Sequence, residues 1–209
     1  MILIGQFDSP FVRRVGIALT VYGMAFEHRP WSVFGNADQI RVYNPLMRVP
    51  TLVLDDGDVL VCSATIIDYL DGLVAPDCRL FPIVEPDRHR ALAVAALGTG
   101  LADKAVSLFY ERRLHQETSD IWVDRCRRQI DGVLEALEAG RSGQEAPYWF
   151  GSVPGHADIA VAAAIRFVTE AHPGLISWSA YPALTAFAAR MEALPAFQAI
   201  AQPFNAPTT

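Results

Sequence analysis

The first part of the chain sets short apolar runs against helical patterns. Ile2-Leu3-Ile4 is a run suited to a buried strand. Phe11, Val15, Ala18, Leu19 and Tyr22 then recur at i, i+4, i+7, i+8 and i+11, one face of a helix, and Gly23 sits where that helix would stop. Phe26–Pro30 reads as a second strand, and Asn36–Tyr43 as a short helix stopped by Asn44-Pro45. Thr51–Leu54 and Val59–Val61 flank Asp55-Asp56-Gly57-Asp58, which is a hairpin signature with its turn glycine. Ser63 is an N-cap residue type ahead of a helix carrying Ile66, Ile67 and Leu70. The order is βαβαββα.

The pattern then changes. Pro76, Pro82 and Pro86 interrupt a stretch without periodicity, which reads as a linker. Beyond it the spacing is helical. One long alanine-rich helix covers Asp87 to about Arg113, and a second covers Ser119–Ala139 with Gly140 closing it. Ala157–Ala171 is apolar nearly all round, which predicts a central helix. Pro182 opens another helix, and Pro195 a short last one. The predicted fold class is an α/β N-terminal domain followed by an all-α domain. The expected boundaries are residues 1–75 for the first, 76–86 for the linker and 87–209 for the second.

Composition narrows the function classes. At 209 residues, 52% hydrophobic and 19% charged, the chain has the material for a large core and is not a disordered polymer. Its net charge is −6 and it has no Lys/Arg-rich run, so a nucleic-acid partner is not expected. Lys104 is the one lysine among 17 basic residues, which reads as the codon usage of a GC-rich bacterial genome. No stretch reaches about 18 uninterrupted apolar residues, and the first residues lack the pattern of a signal peptide. The expectation is a cytoplasmic protein without a membrane partner. Cys62, Cys78 and Cys126 form no CxxC pair, and His28, His89, His115, His156 and His172 form no HExxH, so no metal is expected. GxxxxGK[ST] and GxGxxG are also absent, so nothing supports a nucleotide phosphate cradle.

Four short signatures remain: Ser9-Pro10-Phe11-Val12-Arg13-Arg14-Val15, Asn44-Pro45-Leu46-Met47-Arg48-Val49-Pro50, Ser63-Ala64-Thr65-Ile66-Ile67-Asp68-Tyr69-Leu70, and Gly155-His156-Ala157-Asp158-Ile159-Ala160. In this order, with the proline linker between the third and fourth, the chain resembles a cytosolic glutathione transferase over essentially its whole length. The Ser-Pro-Phe-Val start and the Arg-Val-Pro before the hairpin look most like the serine-type classes, especially tau. The resemblance implies a thioredoxin-like domain that binds glutathione as co-substrate, a helical domain contributing the pocket for a small electrophile, and a homodimer.

It also implies roles. Ser9 would hydrogen-bond the glutathione sulfur and favour its thiolate. A charge-assisted hydrogen bond is worth about 1.5–3 kcal/mol and a helix N-terminus about 0.3–1, so a thiol of pKa about 8.5 would fall by roughly one to three units. As a residue alone, Ser9 is equally an N-cap beside a proline. Pro50 would be cis, with the backbone of Val49 pairing with the cysteinyl unit like an added strand. Arg48 would lie near the glycyl end, or stay a solvated loop charge. Ser63, at a helix N-terminus, would take the γ-glutamyl carboxylate. Cys62 departs from the pattern: it stands where an acid or glutamine takes the glutathione ammonium, and a thiol is a poor acceptor. A carboxylate from a partner subunit's long helix, with Asp103 the candidate, or a mixed disulfide at Cys62, would compensate. Cys62 otherwise reads as a small hydrophobe or as a reactive thiol. Asp158 would be structural. Tyr110, Arg112 and Arg113 lie on the helix that borders the electrophile pocket in the family. The rival functions are a non-catalytic interaction or ligand-binding protein with this fold, and a glutathione-dependent isomerase related to the zeta class; the Pro10-Phe11 that follows Ser9 departs from the Ser-Ser-Cys-type start of that class.

Overall fold

The computed structural model describes residues 1–206. It divides into two compact units, Met1–Leu80 together with residues 194–206, and Phe81–Ala193.

The first unit holds β1 (Ile2–Ile4), α1 (Pro10–Val21), β2 (Glu27–Arg29), α2 (Ala37–Arg41), β3 (Thr51–Val53), β4 (Val59–Val61), α3 (Ser63–Leu73) and a 3-10 turn at Pro76–Cys78. The strands form one sheet in the order β2-β1-β3-β4, with β2 parallel to β1 and the other pairings antiparallel. Leu3 and Ile4 of β1 and Leu52 of β3 are sealed from solvent, as are Val12, Val15, Ile17, Ala18 and Leu19 of α1 and Ile66 and Leu70 of α3. Each such side chain contributes about 1.5–3 kcal/mol of transfer free energy, which makes this the cohesive part of the unit. α1 ends where the sequence predicts. Gly23 takes the left-handed φ of +66°, and Met24 N–H reaches back to Leu19 O at 2.9 Å, a Schellman closure. Asp71 anchors the end of the unit by accepting Leu80 N–H at 2.8 Å.

The second unit contains α4 (Asp87–Leu114), α5 (Asp120–Arg141), α6 (His156–Ala171), a 3-10 turn at Trp178–Ala180 and α7 (Pro182–Glu192). Every residue from His156 to Ile165 is buried, so α6 is the central helix that its all-round apolar sequence predicts. α4 packs against it with no room for a side chain at Gly98: a Cβ there would meet Val161 N at 2.8 Å and Ala160 C at 2.9 Å. By length and composition α4 could also cross a membrane, since its 28 residues include a window of mean hydropathy 1.4. The sequence criterion of an unbroken apolar run passes over it because charged residues interrupt the pattern.

Two sequence expectations are corrected. Gly140 does not close α5, which continues to Arg141; the left-handed residue is Gly143, at φ +76°. Arg141, the last helical residue, ties the helix end to the following loop by donating from its Nη2 to Pro147 O at 3.0 Å and from its Nη1 to Gln144 Oε1 at 3.0 Å. The second correction concerns the C-terminal residues expected within the helical domain. The short α8 (Pro195–Ala199) packs on α1, and the guanidinium of Arg13, 2% exposed, donates to Ile200 O at 3.0 Å and to Phe197 O at 3.2 Å. A buried cation needs such acceptors, and these carbonyls supply them.

Candidate functional site

The sheet register gathers three of the four sequence signatures at one end of the first unit. Arg29, Ile4, Thr51 and Val61 stand side by side across β2, β1, β3 and β4. Just beyond that row lie the loop to Ser9, the Val49-Pro50 pair and the Cys62-Ser63 step. Gly5 allows them to approach. Its φ is +130°, and a Cβ there would lie 2.5 Å from Val12 Cγ2 and 2.8 Å from Val49 Cβ, so a side chain at this position would push α1 and the Val49 segment apart.

Ser9 is the N-cap of α1, half-buried, with Pro10 at the first helical position. Its Oγ accepts Val12 N–H at 3.4 Å, a long bond that leaves the hydroxyl proton free to be donated. The first-turn N–H groups of α1 surround this hydroxyl with positive potential.

The Val49–Pro50 bond is cis. The loop before it is held by Asn44, which is 1% exposed and donates from Nδ2 to Arg48 O at 2.9 Å and to Thr51 Oγ1 at 3.0 Å, while its Oδ1 accepts Leu46 N–H at 3.0 Å. Thr51 Oγ1 also donates to Arg48 O at 3.0 Å. The Arg48 backbone is therefore fixed while its side chain is exposed. Sequence reasoning took Asn44 as a helix stop and missed this role; Asn four residues ahead of an Arg-Val-Pro turn was the available signal.

Cys62 occupies the N-cap of α3 with φ +72° and ψ +124°, its side chain exposed and making no cap bond. Ser63 behind it is buried, and its Oγ accepts from Arg14 Nη1 at 3.4 Å. Arg14 is the residue the sequence did not single out. Its side chain is 3% exposed and its Nε has no hydrogen-bond partner. No carboxylate among the described residues pairs with it. Burial pulls the guanidinium down to about 10, with the Cys62 sulfur acting in the opposite sense. A fall of that size from 12.5 corresponds to roughly 3 kcal/mol of desolvation left uncompensated. The group stays cationic at neutral pH, so a buried positive charge lies directly behind the Ser63 hydroxyl and the α3 N-terminus.

The fourth signature belongs to the helical unit. Asp158 is 1% exposed, and its carboxylate accepts Trp149 N–H at 3.0 Å and Gly155 N–H at 2.9 Å. Gly155 has no side chain, so the aspartate alone caps α6. Asp103 is exposed on α4, 2.9 Å from Lys104 Nζ. Tyr110, Arg112 and Arg113 occupy the last turns of α4. Among the described residues no three His, Cys, Asp or Glu side chains are placed to hold a metal ion.

A mixed sheet in the order β2-β1-β3-β4 flanked by helices, with a cis Val49–Pro50 bond ahead of β3, followed by an all-helical second unit, is a thioredoxin-like domain joined to a helical one. The description "Glutathione S-transferase, N-terminal domain" matches residues 3–77, and "Glutathione S-transferase, C-terminal domain" matches residues 120–190. The uncharacterized GST-like protein YibF of Escherichia coli is 31% identical over 140 residues, 66% of this chain and 68% of that protein. A maleylacetoacetate isomerase of Pseudomonas aeruginosa is 28% identical over 219 residues, covering 100% of this chain and 99% of its own. A glutathione S-transferase of Methylobacterium radiotolerans, solved in complex with glutathione sulfonate, superposes with a TM-score of 0.91 at 28% identity, over 100% of this chain and 97% of that one. The chain belongs to the glutathione S-transferase family of enzymes.

Proposed function

We propose that this protein is a serine-type glutathione transferase: Ser9 holds the glutathione thiolate, and the thiolate attacks a small hydrophobic electrophile. The observation that carries the reading is the row of loops beyond Ile4, Thr51 and Val61. From β1 to β4 is two strand spacings, about 10 Å, close to the length of three extended residues. Glutathione laid across that row meets Ser9 with its sulfur, the Val49 backbone beside Pro50 with its cysteinyl unit, and Ser63 with its γ-glutamyl carboxylate. Arg14 stands behind Ser63 as the counter-charge, and exposed Arg48 faces the glycyl end. Cys62 takes the place of an ammonium acceptor, which predicts weak affinity in the single subunit. The likeness to tau-class proteins in Ser9–Val15, a bacterial source, a homodimer and a cytoplasmic location belong to the same reading. The bonds formed and broken are simple. The thiolate donates its electron pair to an electrophilic carbon, and a leaving group such as chloride departs.

A second reading, a glutathione-dependent isomerase, is favoured by the end-to-end match to a maleylacetoacetate isomerase. Retention on immobilised glutathione together with turnover of 1-chloro-2,4-dinitrobenzene is expected. Turnover of maleylacetone without the aryl halide would move the assignment to the isomerase, and loss of both retention and turnover would move it to a non-catalytic ligand or interaction protein.

The buried cation yields a more specific expectation. Arg14→Met removes a charge whose burial is unfavourable and keeps the shape of the chain. Glutathione should bind about tenfold more weakly, as expected for one charge–carboxylate contact seen through a hydroxyl. The melting temperature of the free protein should not fall. Calorimetric titration and a thermal melt on the same sample check both halves, and unchanged affinity would detach Arg14 from the ligand.

A further inference from the structure

Ser9 reaches its place at the head of α1 through the loop Gly5-Gln6-Phe7-Asp8, which follows β1. Within itself the loop has the backbone bond from Ser9 N–H to Gln6 O at 3.2 Å, and its other holds come from outside. The φ of +130° at Gly5 turns the chain out of the sheet ladder, and the Gly5 carbonyl finds its partner in a side chain. That partner is His28 on the neighbouring strand β2, whose Nε2 lies 2.8 Å away. A carbonyl only accepts, so Nε2 carries the proton and donates it.

The same imidazole stacks on the Phe7 ring, with centroids 3.8 Å apart and planes 12° from parallel. Phe7 also packs on α1, where a Cβ at Gly16 would lie 2.9 Å from Phe7 Cε1. A glycine in mid-helix is otherwise a loss, and here it leaves room for that ring. From the C-terminal segment, Gln202 Oε1 accepts Phe7 N–H at 3.1 Å, and Asp8 Oδ2 accepts Asn205 N–H at 3.1 Å. His28 thus grips the loop twice, at a carbonyl four residues before Ser9 and at a ring two residues before it. A hydrogen bond weakens steeply when its angle is lost, and a reacting group misplaced by about 1 Å is costly. The hold on the loop therefore bears on what the Ser9 hydroxyl can do.

We propose that His28 is a positioning residue: through the Gly5 carbonyl and the Phe7 ring it sets where the Ser9 hydroxyl meets the glutathione sulfur. The inference rests on the serine-type reading above, and it adds a residue of β2 that touches neither the sulfur nor the electrophile.

The readout is the pKa of enzyme-bound glutathione, followed by the ultraviolet absorbance of its thiolate in the full-length protein. His28→Phe keeps a ring to stack on Phe7 and removes the donor to Gly5 O. It should raise the bound thiol pKa by about 0.5–1 unit and lower kcat/KM at neutral pH roughly three- to tenfold. Affinity for S-methylglutathione, which has no thiol to ionise, should stay as it is. His28→Gln carries an amide donor at the reach of Nε2 and should bring the pKa back toward the native value. In a Ser9→Ala background His28→Phe should move the pKa no further, because its effect passes through the serine hydroxyl. Phe7→Leu breaks the stack, keeps the hydrogen bond and should shift the pKa in the same direction, which gives a second measurement if His28→Phe does not fold. If Ser9→Ala raises the pKa while His28→Phe and Phe7→Leu leave it in place, or if the effects of Ser9→Ala and His28→Phe simply add, the positioning role is overturned and the serine reading stands. If Ser9→Ala leaves the pKa unmoved, the serine reading fails and the role of His28 falls with it.

Discussion

Asp158→Ala should lower the unfolding free energy by about 3–5 kcal/mol, because two buried backbone donors, Trp149 N–H and Gly155 N–H, lose a charged acceptor together. No side chain at Gly155 shares the work, so the cap has no reserve. The effect should appear as a lower urea midpoint with an unchanged m-value. Its pH dependence has a definite sign. Burial raises the Asp158 pKa, with the Gly155 and Trp149 N–H groups opposing the shift. A carboxyl held higher in the folded state than in the unfolded one contributes most below its unfolded pKa, and that contribution fades as pH rises through the folded value. The gap between native protein and variant should therefore widen as the solution is acidified from neutrality. A loss under 1 kcal/mol at neutral pH would mean that water or a shifted loop replaces the carboxylate.

Ser9→Ala should reduce kcat/KM at neutral pH by roughly ten- to a hundredfold and move the midpoint of its pH profile upward by one to two units, the worth of one charge-assisted hydrogen bond. The fold should survive. The 3.4 Å cap bond to Val12 is long, so its loss falls at the low end of about 0.5–2 kcal/mol for an N-cap, and Pro10 still presets the first turn. Ser9→Thr keeps the hydroxyl and should restore both the rate and the midpoint, which a purely structural serine would not do through the pH profile. Full activity with an unshifted profile in the alanine variant would remove Ser9 from the chemistry.

Local grammar made most of the fold legible. The Pro10 start, the Gly23 stop, the Asp-Asp-Gly-Asp hairpin and the all-apolar α6 each depend on neighbours within a few residues, and all are where the sequence puts them. Gly140 misled because a glycine near the end of a helical pattern says nothing about which φ it adopts. α5 instead runs on to Arg141 and closes at Ser142, whose N–H bonds Glu138 O, while the Arg141 side chain reaches Pro147 O in the following loop. The Arg13-Arg14 pair was opaque for a different reason. Two adjacent arginines on a helix read as solvated charges, yet one finds its acceptors 184 and 187 residues away and the other its hydroxyl 49 residues away. Ser9, Val49, Pro50 and Ser63 could be singled out by resemblance, since a serine, a Val-Pro step or an N-cap taken alone has a structural use. Arg14 and Asn44 lay outside the quoted roles because their work is to hold those residues.

The chain leaves its first unit at Leu80 and returns to it at Leu194, where α8 and the carbonyls of Phe197 and Ile200 close over Arg13. Topologically, the helical unit is an insertion within the sheet-bearing unit. Recombining such units between relatives would call for two junctions, near 80/81 and near 193/194, with the closing segment travelling with its own N-terminal strand order. A single crossover in the proline-rich stretch would hand α1 a foreign lid and strand a guanidinium on the very helix that Ser9 caps.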